Sequence, residues 1–180
     1  MKKFLLRFNV LMIAVVIACQ SARPSTDNSM LNPGDEIDGM VITTGAAEAP
    51  PLWAFCPPAS ETDNTVTMDC ELPPLPKLAI GHTFGAADRA LQTLDWSEAT
   101  WKVSLDGHLV DLSAFGTYDF VFPDLSKPPS PIREVFRNMK IWDVMLENPT
   151  PGMHTLHGIV QTEGNIYTWI VNFTVLFDKL

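Results

Sequence analysis

Hydrophobic and polar positions fall into two patterns along this chain. Residues 10–18 form an unbroken apolar run near the amino end. From about residue 40 onward, apolar and polar side chains alternate in short segments separated by turns. A period of two predicts half-buried strands, because successive side chains on a strand point to opposite faces. The last segment is the longest. Tyr167, Trp169, Val171, Phe173, Val175 and Phe177 fall on one face, with Thr168, Asn172 and Thr174 on the other. Residues 153–162 supply a preceding strand across the turn Glu163-Gly164-Asn165. Residues 141–147 form another, with Trp142, Val144 and Leu146 on one side and the Asn148–Gly152 turn behind it.

The segment WKVSLDGHLVDL, residues 101–112, carries the clearest hairpin signal. Asp106-Gly107 favours a two-residue turn with positive φ at both positions. Folding about it pairs Leu105 with His108, Val103 with Val110 and Trp101 with Leu112, and sets Lys102 opposite Asp111. Weaker strand patterns occupy residues 40–44, 52–56, 65–72 and 78–83. In the third, Val66, Met68, Cys70 and Leu72 face inward. Residues 86–94 show helical spacing. Residues 130–136 fit a short helix, with Ser130 as cap and Pro131 in its first position. The expected fold is mostly β: an antiparallel β-sandwich with one or two short helices.

The apolar run 10–18 follows Lys2, Lys3 and Arg7 and is too short for a membrane span, which needs roughly 20 apolar residues. It ends Val16-Ile17-Ala18-Cys19. This ending resembles the lipobox of bacterial lipoproteins, where Leu is commoner at the position of Val16, and Ala or Ser at that of Ile17. The resemblance implies cleavage before Cys19 and a diacylglyceryl thioether on its sulfur. Two or three acyl chains anchor stably, at about 0.8 kcal/mol per buried CH₂. The expected organisation is a signal peptide at 1–18, a flexible tether at 19–34 and a sandwich domain at 35–180. The polar stretch SARPSTDNSMLNP suits the tether. Gln20 follows the cysteine in place of Asp, so the inner-membrane retention signal of some Gram-negative bacteria is absent. The expected location is therefore extracytoplasmic and membrane-anchored.

Removing the leader takes three of the 12 basic residues and none of the 21 acidic ones, moving the formal charge from −9 to −12. So acidic a surface repels nucleic acid and anionic lipid headgroups, and the body is expected to stand off the membrane on its tether, without lying on it. With Cys19 lipidated, Cys56 and Cys70 remain in an oxidising compartment, and a disulfide between them is expected. It would contribute about 3 kcal/mol on the chain-entropy model.

The stretch PTPGMHTLHGIV followed by NIYTWIVNFTV resembles the last hairpin of immunoglobulin-like bacterial surface domains. No Cys…Trp…Cys pattern of the antibody type accompanies it. Together with the lipobox, it resembles bacterial lipoproteins bearing an immunoglobulin-like sandwich, which implies no particular activity.

No catalytic residue, cofactor or metal site is assigned from the sequence. His154 and His157, three apart in a strand, face opposite ways and cannot chelate one metal together. His82 and His108 sit near turns. Asp35, Glu36 and Asp38 lack the spacing of a calcium loop. No GxSxG or SxxK occurs. A carboxylate pair is recognised by distance and stays open. Trp142 and Trp169 read as core; Trp53 and Trp96 are less determined. The proline-rich segment 122–131 reads as a stiff crossing. The expected role is a lipid-anchored binding or assembly module, its partner an envelope protein or polysaccharide. The alternatives are a small hydrolase using carboxylates and a purely structural envelope protein.

Overall fold

The computed structural model describes residues 30–57, 60–86, 96–121 and 138–177. Cys19 and the lipobox-like run before it lie outside them, as do the proline-rich segment, the helix expected at 130–136 and nearly all of that expected at 86–94.

Strand alternation converts directly into a two-layer, sandwich-like body. The first layer is a six-stranded sheet. Its order is β3 (Ser60–Thr62), β4 (Thr65–Leu72), β13 (Asn165–Val175), β12 (Gly152–Thr162), β7 (Thr100–Leu105) and β8 (His108–Leu109). The β12–β13 hairpin aligns Gly152 with Val175 and Thr162 with Asn165. Every ladder of this sheet is antiparallel except one: β13 runs parallel to β4.

The second layer is built around β10 (Asn138–Trp142) and β11 (Met145–Glu147), which follow one another with a break at Asp143-Val144. Opposite them, β5 (Lys77–Ala79) pairs with β11 and β6 (Thr83–Ala86) with β10. On the other side, β2 (Met40–Thr43) pairs with β11 and with β1 (Glu36–Ile37), while β9 (Thr117–Val121) pairs with β10. The two layers enclose one principal core. Ile42, Leu78 and Leu146 from the second meet Leu72, Leu105 and Phe173 from the first, all fully buried. Such burial contributes about 1.5–3 kcal/mol per large aliphatic or aromatic side chain. A smaller cluster of Ala46, Ala79 and Met145 covers the outer side of the second layer.

Four local expectations are corrected. Residues 52–56, expected as a strand, form the 3-10 turn Leu52–Phe55. Pro50-Pro51 lead into it without backbone donors for a ladder, and LWAF does not alternate. The strand expected at 78–83 is broken at Ile80-Gly81-His82. The hairpin forms as expected at its tip, with φ of 49° at Asp106 and 84° at Gly107 and Leu105 opposite His108. It ends early, because Asp111 accepts from the Ser113 backbone N–H and hydroxyl and caps the single-turn helix Leu112–Phe115. Leu112 therefore does not pair with Trp101, nor Asp111 with Lys102. Finally, the folded body starts before residue 35. Leu31 is buried, donates to the Leu109 carbonyl and accepts from Asp111 N–H, adding a parallel bridge to the β8 edge.

Candidate functional site

The expected disulfide is present. Cys56 and Cys70 are bonded, with Cα atoms 4.4 Å apart. The bond fixes the end of the 3-10 turn Leu52–Phe55 to the inward face of β4. The turn is also held by a bridge between Pro51 and Ala79. Held this way, it projects Trp53, which is 41% exposed. An exposed indole on a rigid turn is a common centre of recognition, since it supplies a large apolar area at small entropic cost.

Two depressions flank the turn. One is a small apolar cavity of about 40 Å³ between Leu52, Trp53, Met68, His82 and Trp169. The other is an open groove of about 620 Å³ lined by Phe55, Asp69, Glu71, Met153, Asn172 and Thr174. A hydrogen-bonded row crosses that face of the sheet: Thr155 Oγ1 donates to Asn172 Oδ1 at 3.2 Å, and Asn172 Nδ2 donates to Asp69 at 2.8 Å. The groove thus combines an ordered polar floor with an apolar rim, a surface suited to binding.

Behind the turn lies a cluster of indoles. His82 stacks on Trp169, ring centroids 3.6 Å apart and planes within 12°. Trp101 and Trp142 close around them, and Trp96 lies 4.9 Å from each of those two. Lys140 Nζ sits 6.0 Å from the Trp96 ring and 3.7 Å from an Asp119 carboxylate oxygen. These rings pack against one another, so Trp142 and Trp169 belong to the core as expected, and Trp96 joins them. The indole N–H groups of Trp142 and Trp169 are buried and meet no acceptor among the described residues.

Burial among these rings withholds water from the imidazolium form and lowers the His82 pKa from 6.5 to about 3. The native protein keeps His82 neutral over that interval, while the unfolded chain takes up a proton below about pH 6.5. Stability supplied by neutral His82 is thus complete above pH 6.5 and is lost as pH falls toward 3. The slope is at most about 1.4 kcal/mol per pH unit. This is an upper value, because His82 is half-buried and not sealed from solvent. In acid titrations followed by urea denaturation, His82→Phe should lose this part of the slope. An unchanged pH dependence in the variant would contradict it.

The other histidines divide as the strand geometry requires. His154 is buried and His157 lies on the opposite, outer face of β12. His154 Nδ1 is 2.8 Å from Asp106 Oδ2, and Thr150 Oγ1 stands 3.5 Å from Nε2. The arrangement superficially resembles an acid–histidine–hydroxyl triad. Nε2 is, however, only 2.9 Å from the Thr150 carbonyl oxygen, which can only accept. The ring therefore directs an N–H there and offers no base to the hydroxyl. Its role is structural: it ties the Asp106-Gly107 turn to the Asn148–Gly152 turn. Asp106 reinforces the tie by accepting from Thr155 N–H at 2.7 Å.

Asp35 accepts from Asn32 N–H at 2.7 Å, and Asp38 takes a positive φ in the β1–β2 turn. Among the described residues no group of three or more His, Cys, Asp or Glu is placed to hold a metal ion. No described helix is long and apolar enough to cross a membrane. In the sequence Trp53 is one of five tryptophans that could form an aromatic platform and is no better marked than Trp96; its exposure depends on the turn that the disulfide holds, which the cysteine spacing signals.

No family model matches the chain, and no curated protein matches it. Among solved structures, the chain described as the solution structure of amebosin is similar over 62% of this chain and 95% of its own, at 10% identity and a TM-score of 0.29. That likeness is too slight to carry an argument.

Proposed function

We propose that this chain is a lipid-anchored, extracytoplasmic β-sandwich that works as a binding or assembly module of the cell envelope. The observation that carries the proposal is the accounting of its three cysteines: Cys56 and Cys70 are joined, and Cys19 is the one that ends a lipobox-like run. A structural disulfide fits an oxidising compartment, which the amino-terminal sequence independently implies. The stapled Trp53 turn and its neighbouring groove supply the contact surface, and an acidic body turns away nucleic acid. The ligand class that fits the groove is an envelope protein segment or a polysaccharide, bound through apolar contact with Trp53 and Phe55 and polar contact with Asn172 and Asp69.

Replacing Cys19→Ser tests the anchor. The variant should lose incorporation of labelled fatty acid and leave the membrane fraction or accumulate with its leader attached. Labelling and membrane retention equal to the parent would contradict the proposal.

A further inference from the structure

The path of the chain into the body gives the sandwich an orientation. Leu31 runs parallel to Val110, so the chain arrives from the side of the Asp106-Gly107 turn. That turn lies beside the start of β12, because Asp106 N–H donates to the Thr155 carbonyl and its carboxylate holds His154. The start of β12 pairs with the end of β13, Gly152 opposite Val175, and Leu176 N–H donates to Leu72 at the end of β4. One end of the sandwich thus gathers the entering chain, the 106–107 turn, the 148–152 turn and the segment after β13.

The same end carries apolar side chains that the core does not use. Met153 and Phe177 are each 77% exposed, Met30 is 50% and Leu176 is 43%. The Asp106 carboxylate at this end is turned inward, within hydrogen-bond distance of His154 Nδ1 and accepting from Thr155 N–H. Only ten residues separate Cys19 from Met30, a reach of at most about 40 Å even fully extended.

We infer that this end is seated on the bilayer, with Phe177, Leu176, Met153 and Met30 entering the interfacial region of the membrane that holds the acyl chains. The inference rests on the lipid anchor proposed above. It departs from the picture of a body standing clear on a long tether, because Leu31 docks on β8 and shortens that tether. Seating directs the Asp63-Asn64 and Glu163-Gly164 turns away from the membrane; because Met153 also lines the groove of the proposed contact surface, that groove opens beside the bilayer surface, with the Trp53 turn on the flank. Apolar contact with lipid does not require basic residues, so the acidic body is compatible with a zwitterionic surface.

The test uses the full chain purified from its native membrane, checked by mass for lipid on Cys19 and reconstituted in phosphatidylcholine vesicles with brominated acyl chains. Bromine quenches nearby indoles. Phe177→Trp adds an indole at the proposed seat. Ile166→Trp adds one at the opposite end, where Ile166 is 56% exposed. Relative to the parent, the indole at 177 should be quenched at least twofold more than that at 166, and adding Met153→Ser and Leu176→Ser should reduce the difference. Equal quenching on a lipidated chain would overturn the seating and leave the anchor intact. An unlipidated Cys19 would overturn both. A detergent-solubilised dimer that Phe177→Ser dissociates would assign this end to a second copy and also overturn the seating.

Discussion

Gly81→Ala is expected to cost about 4 kcal/mol or more, the largest loss we anticipate from a single methyl group in this fold. Gly81 sits where the second layer bends. Ile80 and Gly81 N–H both donate to the Val144 carbonyl, at 3.0 and 3.1 Å, and Trp142 N–H donates to the His82 carbonyl at 3.1 Å. These bonds draw the two strands so close that a Cβ on Gly81 would overlap the Trp142 carbonyl oxygen and lie 2.9 Å from its carbon. The obstruction is backbone, which cannot turn aside as a side chain can. Relief requires the strands to part, breaking the bonds at the bend and drawing His82 away from Trp169. Urea denaturation followed by far-ultraviolet circular dichroism measures the effect. A midpoint that placed the variant within about 1 kcal/mol of the parent would show that the bend is looser than described.

Gly158→Ala is expected to cost about 3 kcal/mol by a different route. Gly158 is the β12 residue opposite Trp169, and the indole lies across its Cα. A Cβ would overlap three atoms of the six-membered ring. Here the obstruction is a side chain, but one packed tightly between His82 and Trp101. The indole cannot move without disturbing the cluster. The two residues should therefore be coupled. In a Trp169→Leu background the same Gly158→Ala change should cost less than about 1 kcal/mol, since the smaller side chain leaves room. Additive costs in the double variant would contradict the close approach.

Both glycines mark what alternation along the chain does not reveal. Local pattern identified β4 at its observed bounds, the β12–β13 hairpin and the tip of the 106–107 hairpin, because each is set by neighbours in sequence. It also placed Trp169, Val171, Phe173 and Val175 on a buried face, with Tyr167 and Phe177 emerging only at the strand ends. Non-local geometry was not legible. A parallel partner for β13 requires knowing that β4 reaches it across most of the chain. The docking of Leu31 depends on the free edge of β8. Over 52–56 the apolar composition suggests a strand, but Pro50-Pro51 removes two donors and the segment forms a 3-10 turn. The candidate site was legible only through Cys56 and Cys70; Trp53, the groove beside Asn172 and the His82–Trp169 stack are products of tertiary packing.

The account turns on a chain that is lipidated at one cysteine, oxidised at the other two and folded outside the cytoplasm. The mass of the intact protein, isolated from its native cell without reductant, tests this most directly. The account predicts a chain beginning at Cys19, heavier than its sequence by a diacylglyceryl group, with or without an amide-linked acyl chain, and lighter by the two hydrogens of the Cys56–Cys70 bond. A mass corresponding to an unmodified chain beginning at Met1, with three thiols open to alkylation, would contradict it.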